Sequence, residues 1–147
     1  MNNLTTFMDC IVILMFLGFA IYNIRKSTGK IIRIDIKSIY NLILLGAGIL
    51  FLILAIKIGG RTGSYFVAFS ALFYLYTSTY CQGIGKDAFY VLVGKSSIRK
   101  LAFDEITDII IDKEKSQIKI KADSTTYIQV FKKEDFERVL SIIENNR

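Results

Sequence analysis

The chain has 147 residues, the length of one ordinary domain, yet 52% of them are hydrophobic, and its 19 Lys and Arg exceed its 13 Asp and Glu for a net charge of +6. Histidine is absent, which excludes Ser-His and Cys-His nucleophile pairs and His-ligated metal sites. The apolar residues crowd into the first 85 positions, which argues against an ordinary soluble domain and for a membrane region followed by a small polar one.

Three uncharged stretches stand out, Cys10 to Ile24, Ser38 to Ile56 and Thr62 to Gly85. A bilayer core takes about 20 helical residues. The second and third stretches meet that length, and the first reaches it by starting near Leu4, with Asp9 at its rim where a carboxylate is tolerable. The expectation is an α-helical membrane bundle over residues 1–82, with three transmembrane helices at 4–24, 38–57 and 63–82 and a basic loop at 25–37. A cleavable signal peptide needs a basic segment ahead of the apolar one. Residues 1–9 hold no Lys or Arg, so the first stretch reads as an anchor that stays.

The loop carries Arg25, Lys26, Lys30, Arg33 and Lys37 against the single acid Asp35. Basic loops stay cytoplasmic, so the chain reads as a multi-pass cell-membrane protein with its N-terminus outside and its C-terminal domain cytoplasmic. Lys57 and Arg61, in the turn that would then lie outside, weigh against this with two charges to five. The five basic residues also form a candidate contact for anionic lipid, since each can contribute about 1 kcal/mol near a charged leaflet. Within the loop Ile32, Ile34 and Ile36 alternate with Arg33, Asp35 and Lys37. That period of two fits a strand paired with the C-terminal domain and equally an irregular lead into the second span.

Span two contains Gly46-Ala47-Gly48 and span three places Ser64, Ala68, Ala71 and Ser78 along one face. Small residues let membrane helices approach closely, so Gly46, Gly48, Ser64, Ala68, Ala71 and Ser78 are candidate helix-packing positions, within the bundle or between copies. Ser70, Thr77, Ser78 and Thr79 also allow a polar pathway, without the charged residue that ion coupling calls for. Cys10 and Cys81 fall toward opposite faces of the bilayer, too far apart for a disulfide, and read as free thiols.

From Gly83 the pattern changes. Phe89–Val93, Ile98–Phe103, Ile106–Ile111, Ile118–Ala122 and a segment around Ile128 and Val130 read as five short strands divided by turn residues. Phe136, Val139, Leu140 and Ile143 then mark one face of a closing helix. Asp104, Glu105, Asp108 and Asp112 lack the spacing of a calcium loop and read as a solvated strand edge. With twelve basic and eleven acidic residues after Gly85, the domain is nearly balanced in charge, which argues against nucleic acid as a partner.

The run Ser97-Ile98-Arg99-Lys100-Leu101-Ala102-Phe103-Asp104-Glu105-Ile106-Thr107-Asp108-Ile109 and the closing Phe131-Lys132-Lys133-Glu134-Asp135-Phe136 resemble the pleckstrin-homology-like (PH-like) domains of small bacterial membrane proteins. The resemblance covers residues 83–147 and implies an α+β domain of antiparallel strands capped by one helix, serving as a binding or scaffolding module. Five strands fall short of the full pattern of seven, and residues 31–37 would supply one more. The combined expectation is a non-enzymatic membrane protein without cofactor or metal, whose partners are membrane lipids and a second copy or another membrane protein. Lipid or peptide sensing, including self-protection of an immunity type, and an accessory role in a small transporter or channel are the alternatives.

Overall fold

The computed structural model describes residues 2–36, 38–57, 60–94 and 97–146. The chain divides into two compact units, one of Met1–Asn23 with Lys37–Thr77 and one of Ile24–Ile36 with Ser78–Arg147. The boundary differs from the linear division at residue 82, because the basic loop joins the C-terminal residues.

The first unit is helical. It holds most of α1 (Asn2–Lys26), α2 (Ser38–Lys57) and most of α3 (Thr62–Tyr80). An α-helix closes its own backbone hydrogen bonds, which is what an apolar surrounding demands. Leu4–Lys26 and Tyr40–Lys57 are long and apolar enough to cross a membrane, with mean hydropathy of 2.2 and 2.1. Only 6% of each span is buried within the chain, so Leu14, Leu42, Ile43 and Leu45 are exposed. A helix that is apolar all round belongs inside a large core or in a membrane. These two have no such core around them. The sequence led us to expect a third crossing helix. α3 has the length and no charge, but its serines, threonines and tyrosines keep it below the hydropathy of the other two.

The second unit is α+β. Among the described residues seven strands form two antiparallel sheets, in the order β1-β2-β3-β4 and β5-β6-β7. They are β1 (Lys30–Arg33), β2 (Gly83–Gly85), β3 (Ala88–Val93), β4 (Ser97–Ala102), β5 (Asp108–Asp112), β6 (Gln117–Ala122) and β7 (Thr125–Val130), and α4 (Lys133–Glu144) follows. Among the described residues the strands form these two sheets and no closed barrel.

Alternation drives the sheet register. Ile118, Ile120 and Ala122 of β6 are buried while Lys119 and Lys121 are exposed. Ile84, Phe89, Val91 and Leu101 from one sheet meet Ile118, Ile120 and Phe131 beside the other, and Phe136, Val139, Leu140 and Ile143 of α4 complete the core. The four α4 residues are those the helical spacing singled out. Glu134 and Asp135 sit in the first turn of α4, where the helix dipole favours anions.

Three expectations need correction. Among the described residues the strands number seven, because the Gly-Ile-Gly of β2 has no apolar alternation to betray it and β1 is built from the loop. The strand expected to reach Phe103 stops at Ala102, and Phe103–Glu105 forms a 3-10 turn. The next strand begins at Asp108, two residues after Ile106. Of the two readings left open for residues 31–37, the strand is the one realised, shifted to Lys30–Arg33 and paired antiparallel with β2.

Candidate functional site

The basic segment lies in the second unit except for its last residue, since Lys37 falls outside the described residues. Arg25 and Lys26 end α1 and are exposed. Arg33 ends β1 and is exposed as well. Lys30 departs from this set. It is half-buried, and its Nζ donates a hydrogen bond to the Tyr80 carbonyl at 2.8 Å. Burial pushes its ammonium below the ordinary lysine value, with Arg33 adding to the effect and Cys81 opposing it. Arg25, Lys26 and Arg33 are thus exposed, and Lys30 is drawn partly into the unit.

Glycine makes the close approach of β1 to β2 feasible. At Gly83, with φ of +151°, a β-carbon would collide with the Ile32 carbonyl of the neighbouring strand. At Gly29 it would meet the Tyr90 hydroxyl. Tyr90 is 3% exposed, and burial raises its phenol above the ordinary value, helped by Asp87. The Tyr90 carbonyl accepts a 2.8 Å hydrogen bond from Gln129 Nε2, which ties the first sheet to the second. Gln129 Oε1 is buried without a partner. Nothing in the sequence marked Gln129 for this, because a glutamine in an alternating strand reads as an outward residue.

The outer face of the three-stranded sheet has a distinct chemistry. Ile110, Lys119 and Ile128 lie side by side in register across β5, β6 and β7. Ile110 is 42% and Ile128 59% exposed. The row beside them is polar, with Lys121 Nζ 3.1 Å from Asp108 Oδ2. The expected acidic edge is thus divided among ion pairs: Asp108 with Lys121, Asp112 with Lys115 at 3.6 Å, and Glu105 with Arg99 at 2.7 Å.

In the helical unit the small-residue positions separate. Gly46 faces open space, while Gly48 lies under Leu72 of α3. Ser64 and Ala71 are buried and Ala68 is partly so. With Asp9, Phe16, Phe51, Leu54, Ala55 and Val67 they line a cavity of about 260 Å³. Ser78 is buried and belongs to the second unit. The Ser70 and Thr77 hydroxyls each donate to a carbonyl three residues back, at 2.9 Å. Such bonds satisfy the hydroxyl donors in apolar surroundings. Cys10 and Cys81 are both free.

Comparison with protein-family models, characterised proteins and solved structures returns no match.

Proposed function

We propose that this chain is a non-enzymatic, multi-pass membrane protein whose second unit is a PH-like module on the cytoplasmic side that binds a protein partner, either a second copy or another membrane protein. Sheets of four and three antiparallel strands followed by a C-terminal helix support the PH-like reading, with β1 supplying a strand that residues 83–147 lack. The exposed apolar surfaces of α1 and α2 support the membrane reading. The cytoplasmic placement rests on Arg25, Lys26, Lys30, Arg33 and Lys37.

The binding role rests on one observation above the others, the outward Ile110–Lys119–Ile128 row. Two exposed isoleucines flanking a lysine stem give an apolar strip with one charge, and interface centres combine such apolar area with few charges. Photo-crosslinking from position 128 in intact membranes tests this. A discrete adduct, of dimer mass or of a single partner, is the expected result, and its loss with Ile110→Lys should follow. A chain that yields no adduct and migrates as a monomer at native mass would sink the proposal.

A second reading, contact with anionic lipid, is favoured by the outward Arg25, Lys26 and Arg33. It adds to the first, since a module held against the leaflet still presents its sheet.

A further inference from the structure

The cavity in the helical unit has an unusual composition for an apolar void. Its walls are Phe16, Phe51, Leu54, Val67 and small residues, and Asp9 is the one charged residue among those that line it. Asp9 sits within the Leu4–Lys26 span, five residues beyond Leu4, or about 7.5 Å along a helix axis. Near the end of a span a carboxylate is tolerable, and an ionisable side chain there is a functional candidate rather than a packing residue.

Two contacts define the surroundings of its carboxylate. Gly63, in the first turn of α3, has no side chain where the Asp9 carboxylate lies. Arg61, two residues before Gly63, directs Nη1 to Thr5 Oγ1 at 2.8 Å, one helical turn from Asp9. Among the described residues Asp9 takes part in no ion pair. The first turn of α3 also offers a positive helix end, which accounts for tolerance of a carboxylate without supplying a counter-ion.

A void of about 150 Å³ lined by apolar side chains accepts benzene. The present cavity, at about 260 Å³ and open on one side, has room for a larger apolar body. The carboxylate supplies the charge opposite to a cation, and the aromatic walls offer apolar area to its body. We propose that the cavity between α1, α2 and α3 binds a lipophilic organic cation, with its charged head at Asp9 and its apolar body against Phe16 and Phe51. An uncharged lipid tail would fill the same volume, but it would leave the carboxylate facing hydrocarbon. The residues that line the cavity all belong to the first unit.

The test uses the full chain in zwitterionic nanodiscs and two probes of one shape, benzyltrimethylammonium and its uncharged carbon isostere neopentylbenzene. The cation should bind at least about tenfold more tightly, equivalent to about 1.4 kcal/mol. Asp9→Asn should remove that preference and Asp9→Glu should retain it. Ala68→Phe, which fills the void from α3, should abolish binding of both probes with helix content unchanged. Equal affinity for the two probes in the parent chain, no binding of either, or a preference that survives Asp9→Asn would each overturn the proposal. Should Asp9→Asn fail to fold, Ala68→Phe decides: cation binding that persists with the void filled overturns it.

Discussion

Lys30 and Tyr90 show how single residues of the second unit depart from what their letters suggest. Lysine in a basic loop reads as a surface charge, yet Lys30 reaches back to the Tyr80 carbonyl, and a contact fifty positions away leaves no local trace in the sequence. Tyr90 was legible only as one apolar member of a strand, although its burial against Gly29 helps seat the first strand. Their titrations oppose each other. Burial lowers Lys30 from its ordinary 10.5, so between that lowered value and 10.5 the unfolded chain binds more protons and stability rises with pH. Burial raises Tyr90 from 10.0, so above 10.0 the folded chain holds a proton the unfolded chain has lost, and stability falls with pH. Denaturation of the full chain from about pH 8.5 to 10.5 separates them. Relative to the parent, Lys30→Met should gain less stability with rising pH and Tyr90→Phe should lose less. Curves parallel to the parent in both variants would show that neither group is buried as described.

At the scale of elements, periodicity succeeded in α4 and β6, misled in β7, where Gln129 turns inward and Ile128 outward, and failed where backbone pairing alone defines an element. The α4 face and the alternation in β6 were readable because each buried residue carries its own apolar signal. β2 was not, since Gly83 and Gly85 are there to let another strand approach and glycine in sequence reads as a turn. β1 was half-readable: alternation appeared, but its partner and its bounds did not. The irregularity between Lys30 and Ile32 in the β1–β2 pairing leaves Ile31 47% exposed and Ile32 4% exposed. A one-residue slip would exchange their faces. Ile32→Ala should therefore cost about 2–4 kcal/mol, the range for a truncated core isoleucine, while Ile31→Ala should stay within about 0.5 kcal/mol. Thermal unfolding of the purified full chain measures both, and equal costs would refute the register.

For the whole molecule, the β1–β2 pairing constrains how the chain can thread a membrane. Strands that share hydrogen bonds lie on one side of a bilayer. Everything between β1 and β2, which is α2, the turn around Gly60 and α3, must then cross an even number of times. If α2 crosses, α3 is the span that returns, even though its hydroxyls and phenols hold its hydropathy down. Hydropathy alone does not rank α3 as a span, and the proposed reading, which puts the basic loop and the second unit inside, would need α3 to return the chain from a Gly60 turn outside. Membrane-impermeant maleimide labelling checks it in a chain with Cys10→Ser and Cys81→Ala. Single cysteines at the exposed positions Thr28→Cys and Lys113→Cys should react only from the cytoplasmic face, and Thr62→Cys only from the opposite one. Labelling of Thr62→Cys from the cytoplasmic face would mean that α2 and α3 do not form a crossing pair. Labelling of Thr28→Cys and Lys113→Cys from opposite faces would be incompatible with β1 in the same sheet as β2, and the PH-like reading would fall with it.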